Sequence, residues 1–155
     1  MRIGFAADHA GASLKAELIG RLAGSGHDLV DLGGDGSDHA DDYPDNARIL
    51  GHAVRDGVVD RGILVCGSGV GASVAASKIA GVRAAVCHDT YSARQGVEHD
   101  DLNILCLGGR VIGIELADVC ARAFIDATFS GEARHARRVG KIAAIEAEEQ
   151  ARRAT

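Results

Sequence analysis

Gly62-Ile63-Leu64-Val65-Cys66-Gly67-Ser68-Gly69-Val70-Gly71-Ala72-Ser73-Val74-Ala75-Ala76 reads as strand, glycine turn and helix in succession. The aliphatic run has the length and composition of a buried strand and ends at a cysteine. Three glycines within Gly67–Gly71 let the backbone curl tightly, and small helix-forming residues follow. The first N–H groups of such a helix lack carbonyl partners. Together with the positive end of the helix dipole they point at one spot, which suits an anion. Gly67, Gly69 and Ala72 also fit the relaxed dinucleotide pattern G-x-G-x-x-G/A, with Asp89 at the spacing of a ribose-binding acid. That pattern belongs at the first strand of a larger protein, whereas here it falls at the third. Anion binding of another kind is the better reading, with a purely structural turn as the plain alternative.

The same alternation extends in both directions. Arg2 to Ala7 is an apolar run, after which Leu14, Leu18, Ile19 and Leu22 recur at helical spacing until Gly24-Ser25-Gly26. His27–Leu32 predicts a second strand and residues 33–42 a loop. The only proline, Pro44, suits the first turn of a helix through Ala47, Leu50, Ala53 and Val54. Beyond the glycine turn, a helix is expected over Ala72–Ile79, a strand over Val82–Cys87 and a helix from Thr90 to Val97. A fifth strand over Asn103–Leu107, a helix over Gly113–Ala127 and a last helix from beyond Gly131 towards Gln150 complete the pattern. Parallel strands need crossover helices. The expectation is therefore an α/β fold, a three-layer α-β-α sandwich with a Rossmann-like five-stranded parallel sheet and an extra C-terminal helix. One domain should span residues 1–155, a length sufficient for a proper core.

Composition narrows the function. A formal charge of −5 argues against sequence-independent binding to nucleic acid, which needs basic surface. No apolar run reaches membrane-spanning length, and no basic-plus-apolar leader precedes Ile3, so a cytoplasmic protein without a membrane partner is expected. Cys66, Cys87, Cys106 and Cys120 form no C-x-x-C pair, which gives neither a zinc ribbon nor an obvious disulfide framework. Cys87, Cys106 and Cys120 read as small buried hydrophobes.

Ligands of open parallel sheets sit outside the carboxyl ends of the strands. That rule gathers Asp8-His9 after the first strand, Cys66 and its turn after the third, His88-Asp89 after the fourth and Gly108-Gly109-Arg110 after the fifth. Cys66, beside a helix start and a nest of N–H groups, sits where a thiolate base or nucleophile is favoured; a buried strand cysteine is the rival reading. Asp8 is either a ligand contact or a helix cap. His99, just before the fifth strand, should fall at the amino end of its own sheet, so a catalytic His99 would serve a neighbouring subunit; the alternative is a solvated loop histidine. Arg134 and Arg138, four residues apart at the start of the last helix, share a face that could clamp a phosphate or pair with acids. Asp8, His9, His88, Asp89, His99 and Asp100 are metal-ligand types, but no H-E-x-x-H or cysteine pair accompanies them, and no metal is expected.

With these residues assembled, the chain resembles the family of ribose-5-phosphate isomerase B and the galactose-6-phosphate isomerase subunits over nearly its whole length. The matching pieces are Ala7–Gly11, Asp42-Tyr43-Pro44, Gly62–Gly71, His99 with Asn103, Gly109-Arg110, and Arg134-His135 with Arg138-Val139. The resemblance implies an aldose–ketose isomerase needing no cofactor, which opens a sugar phosphate ring and moves a proton between C1 and C2 through a cis-enediolate. It implies Cys66 as base, His99 as ring-opening acid and Ser68 as a proton carrier between O1 and O2. The amides of Gly67, Gly69, Val70 and Gly71 would hold the enediolate charge. Asp8 and His9 would contact the sugar, and Arg110, Arg134 and Arg138 its hydroxyls and phosphate. It further implies a homodimer or dimer of dimers with a shared site. Asp100 departs from the pattern of the resembled family, which usually has Asn there; an ionised carboxylate only accepts hydrogen bonds and repels a nearby anion. Ribose 5-phosphate is the simplest substrate, with tetrose or hexose phosphates as alternatives and a phosphate- or nucleotide-binding module without turnover as the competing class.

Overall fold

Ile3, Phe5 and Ala7 turn to one side of a strand and Ala6 to the other, and the neighbouring strands divide in the same way, because strand side chains alternate. The computed structural model describes residues 1–153, so the last two positions of the expected domain lie outside the described residues. Its strands are β1 (Arg2–Ala7), β2 (Asp28–Asp31), β3 (Arg61–Cys66), β4 (Ala84–Val86) and β5 (Ile104–Gly108). Its helices are α1 (Ala12–Leu22), α2 (Tyr43–Arg55), α3 (Val70–Ala76), α4 (Thr90–Asp100), α5 (Ile114–Asp126) and α6 (Ala133–Arg153). The strands are all parallel, in the order β2-β1-β3-β5-β4. This is the α/β sandwich expected from the sequence.

Ile3, Phe5, Ile63, Val65, Leu105 and Leu107 pack against α1, α4 and α5 through Leu18, Leu22, Val97 and Phe124. On the opposite face Ala6, Leu64, Cys66 and Cys106 meet α2 and α3 through Ala47, Leu50, Ala72 and Ala76. The distribution follows from one hand of crossover. Connections that step towards the β4 edge run over the second face as α2 and α3, and those that step back towards the β2 edge run over the first as α1 and α4.

The register then sets the site. Ala7 pairs with Val65 and Val65 with Leu107, so β1, β3 and β5 end level with one another. From β1 the chain crosses to β2 and from β3 it departs the other way to β4. The crevice between the carboxyl ends of β1 and β3 is the topological switch point, where open α/β sheets bind ligands.

Three elements differ from the sequence reading for identifiable reasons. β4 is shorter than Val82–Cys87, because side chains take backbone bonds near its two ends: Asn103 Oδ1 accepts from the Arg83 amide at 2.8 Å, and His88 Nε2 accepts from the Gly108 amide at 3.0 Å. α3 begins at Val70 rather than Ala72, since Gly69 with φ +82° is its cap. α4 runs on to Asp100 instead of ending near Val97, and His99 and Asp100 occupy its last turn rather than a loop. Asp101 stops it in the left-handed region at φ +52°, held by Arg83, which donates to its carbonyl and to its carboxylate at 2.6 Å each.

Candidate active site

Cys66 is the last residue of β3 and only 4 % exposed, its side chain on the α2–α3 face of the sheet. The chain turns back so sharply after it that the Gly69 amide donates to Cys66 Sγ at 3.1 Å. The glycine needed for this left-handed turn therefore directs an N–H dipole at the sulfur, where it stabilises negative charge. Ser68 is exposed, and its Oγ accepts from the Val70 amide at 3.2 Å. Two of the amides expected to hold an enediolate are thus occupied by the turn's own side chains. The Gly71 amide, in the first turn of α3, has no helical carbonyl to meet.

Asp8 follows β1 directly and is 7 % exposed. Its Oδ1 accepts from the Gly11 amide at 3.0 Å, which folds the turn into α1 without capping the helix itself. Gly11 lies against the backbone of Val65 and Cys66, so this turn and the thiol are fixed to each other. Arg110 enters from the turn after β5: its amide donates to the Gly67 carbonyl at 3.0 Å, and its side chain passes beside Gly67. A cavity of about 340 Å³ opens over these groups, lined by Asp8, Cys66, Gly67, Ser68, Gly71 and Arg110. Tyr43 and Val111 complete its wall. The volume is at the small end of ligand sites. A thiol, a hydroxyl, a carboxylate and a guanidinium converge there on something small and polar.

His9 follows Asp8 in sequence but does not line this cavity; its ring turns to the loop before α2, with Nδ1 2.7 Å from Asp41 Oδ1. Burial opposes the charge of Asp41, yet hydrogen bonds from the His9 amide and ring and from Asn46 outweigh it and hold the carboxyl below its usual range. The other three cysteines behave as the sequence suggests. Burial pushes the Cys87 thiol up to about 11 and raises those of Cys106 and Cys120.

His99, Asp100, Arg134 and Arg138 are not brought to this cavity. The last turn of α4 and the start of α6 come together at the amino edge of the sheet, where the Ser130 amide donates to the Glu98 carbonyl at 3.0 Å. The His99 and His135 rings stack there with centroids 4.0 Å apart. His135 is buried with its Nδ1 2.7 Å from Ser130 Oγ, and Gln95 Nε2 is 2.8 Å from His99 Nδ1. The length of β5, roughly 13 Å at about 3.3 Å per residue, separates that edge from the level of Cys66. Arg134 bonds Glu132 at 2.9 Å, while Arg110 and Arg138 make no ion pair among the described residues.

Asp89, the acid of the dinucleotide reading, is committed to capping α4 by accepting from the Ser92 amide at 2.7 Å. Among the described residues no three His, Cys, Asp or Glu side chains gather where they could hold a metal ion, and no helix is long and apolar enough to cross a membrane. Sequence reasoning gave no role to Tyr43, Asp41 or Gln95. Tyr43, one of two tyrosines and set directly before the only proline, carried a signal in its position at the mouth of α2.

A thiol at the switch point of a doubly wound parallel sheet, with a glycine turn and an arginine around it, defines an enzyme for small anionic substrates. The chain belongs to the ribose/galactose isomerase family, whose model matches residues 3–142. It is 45 % identical over 145 residues to ribose-5-phosphate isomerase B of Escherichia coli, covering 94 % of this chain and 96 % of that one. It is 41 % identical over 131 residues to D-erythrulose-4-phosphate isomerase of Pectobacterium atrosepticum, covering 84 % and 86 %. The structure of ribose-5-phosphate isomerase B from Clostridium thermocellum superposes with a TM-score of 0.90 at 45 % identity, over 96 % of this chain and 99 % of that one. The chain is accordingly an aldose–ketose isomerase, as its motifs led one to expect.

Proposed function

We propose that this isomerase interconverts ribose 5-phosphate and ribulose 5-phosphate in the cytoplasm, as a single domain over residues 1–155 working in a homodimer or dimer of dimers. The observation that carries the chemistry is Cys66 in the cavity wall, its Sγ accepting from the Gly69 amide at 3.1 Å. The Cys66 thiolate removes the proton from C2 of the open-chain aldose. The electron pair moves into a C1–C2 double bond, giving an enediolate, and the thiol returns the proton to C1. Ser68 carries the proton between O2 and O1. Gly67, Gly69, Val70 and Gly71 form the turn under the developing charge, where the Gly69 and Val70 amides are engaged by Cys66 Sγ and Ser68 Oγ and the Gly71 amide, in the first turn of α3, is free to donate. Asp8 and His9 hold sugar hydroxyls, and Arg110 binds the sugar phosphate from the same protomer.

His99 acts from a second copy of the chain, donating a proton to the ring oxygen, and that copy also supplies Arg134 and Arg138 to the phosphate and Asp100 to the pocket. The separation of His99 from Cys66 by the length of the sheet supports this division. A tetrose phosphate is the second reading, favoured by the likeness to the Pectobacterium erythrulose-4-phosphate isomerase. The test is ketose formation by metal-stripped wild type and Cys66→Ala on ribose 5-phosphate and a panel of tetrose and hexose phosphates. Turnover that collapses at least a thousandfold in the variant supports the base. Undiminished turnover by Cys66→Ala removes it, and the panel ranks the substrates.

A further inference from the structure

His9 is held to Asp41 twice. The His9 amide donates to Asp41 Oδ1 at 3.0 Å, and His9 Nδ1 lies 2.7 Å from the same oxygen. Asp41 Oδ2 accepts in turn from Asn46 Nδ2 at 3.2 Å, and Asn46, within α2, is 8 % exposed. The three residues tie the turn after β1 to the start of α2, one turn from Tyr43 in the cavity wall. Hydrogen bonds hold the Asp41 carboxyl below its usual range, so at neutral pH it is a carboxylate that can only accept. A carboxylate has no hydrogen to give, so the ring nitrogen facing it, Nδ1, carries one. Among the described residues His9 Nε2 has no hydrogen-bond partner. The nearest ring, that of His39, lies edge-on with its centroid 6.2 Å away.

We propose that Asp41 is a positioning residue that locks His9 in the Nδ1–H tautomer and fixes its ring, so that Nε2 is the nitrogen presented to the substrate. This rests on the reading that His9 contacts the sugar phosphate. The carboxylate serves as the histidine's orienter: it sets which nitrogen faces the ligand and spares the ring the rotamer freedom it would lose on binding.

The experiment is carried out on the full-length chain with ¹⁵N-labelled histidine, His9→Gln serving to assign the His9 signals. Long-range ¹H–¹⁵N spectra are paired with steady-state kinetics on ribose 5-phosphate for wild type, Asp41→Asn, Asp41→Ala and His9→Gln. The wild type is expected to show the proton on Nδ1. Asp41→Asn, whose amide oxygen still accepts, should keep that tautomer, whereas Asp41→Ala should lose it. KM should rise about tenfold in Asp41→Ala with kcat within about twofold, and less in Asp41→Asn, since one aligned hydrogen bond is at stake. An Asp41→Ala protein that retains the Nδ1–H signature overturns the lock. If His9→Gln leaves KM unchanged, the contact between His9 and the substrate is wrong, and the spectra alone then decide the lock. A raised KM in His9→Gln with none in Asp41→Ala overturns the positioning role while leaving the substrate contact standing.

Discussion

Gly11→Ala tests whether the turn after β1 and the thiol at the end of β3 are one rigid piece. Gly11 has φ −102° and ψ −12°, which alanine adopts without strain, so the perturbation is purely steric. A Cβ at this position would fall on the Val65 carbonyl oxygen, 2.5 Å from its carbonyl carbon and 2.9 Å from the Cys66 nitrogen. Restoring ordinary contact at 3.4 Å to that carbon requires the turn and the strand end to part by 0.9 Å. Both partners are backbone, and neither can rotate away. Overpacking of this kind costs roughly 1–3 kcal/mol, which for a chain of this length lowers Tm by roughly 2–12 °C. A displacement near 1 Å at a reacting group costs on the order of a hundredfold in rate. Ketose formation should therefore fall about ten- to a hundredfold while the variant remains folded. The assay is thermal and urea unfolding at fixed protein concentration, combined with turnover of ribose 5-phosphate, with Gly20→Ala as control. Gly20 lies within α1, and a methyl group there would meet nothing within 4 Å, so its replacement should stabilise by about 0.5–1 kcal/mol and leave turnover intact. A Gly11→Ala protein with wild-type Tm and wild-type kcat would refute the rigid coupling.

Three further outcomes are expected. Gly71→Ala would put a Cβ 2.7 Å from Cζ of the Tyr43 ring; that residue is 41 % exposed and its ring can swing out, so KM should rise several-fold with stability changed by less than about 1 kcal/mol, as read by kinetics and melting. Burial, with smaller contributions from His99 and Arg134, pushes the His135 imidazole below its ordinary value. The unfolded chain then takes up a proton near pH 6.5 that the folded chain resists, so stability should decline as pH falls through that region down to the folded value. His135→Phe, which keeps an aromatic ring against His99, should show a shallower fall of Tm between about pH 7.5 and 5.5, and an unchanged slope would contradict the assignment. Asp100→Asn should change the order of preference among tetrose, pentose and hexose phosphates; an identical order would remove Asp100 from the specificity pocket.

The glycine turn, the strands before and after it and the grouping of Asp8, Cys66, Ser68 and Arg110 were legible because each rests on local chemistry. An apolar run of strand length, a glycine required at positive φ and the rule of carboxyl ends suffice to place them. The end of α4 was not legible. Nothing in Glu98-His99-Asp100-Asp101 distinguishes a helical turn from a loop until Arg83, distant in sequence, fixes Asp101 in the left-handed region. Tyr43 and Asp41 were missed for a related reason: their roles depend on where the loop of residues 33–42 lies. That loop is held by Lys15, whose buried ammonium reaches Asp31 at 2.5 Å and the Gly33 carbonyl at 2.9 Å. A lysine on the inner face of a helix carries no sequence signal for such a partner.

The placement of β5 between β3 and β4 has a consequence for how the molecule is assembled. When residues 1–100 alone are available, β1, β2 and β3 can pair, but β4 has no neighbour, because its partner is β5. The free edge of β3, at whose end Cys66 sits, is likewise completed only by residues Ile104–Gly108, and the Gly109 amide then caps the Cys66 carbonyl at 2.8 Å. The edge that carries Cys66 is therefore one of the last parts of the sheet to close, by insertion of a strand into a waiting slot rather than by growth at an outer edge. Pairings of this sequence separation are slow to form. A ribosome-bound chain that has not yet exposed β5 carries the glycine turn on an open strand, and it is at this stage that the nascent protein is most exposed to pairing with the wrong partner.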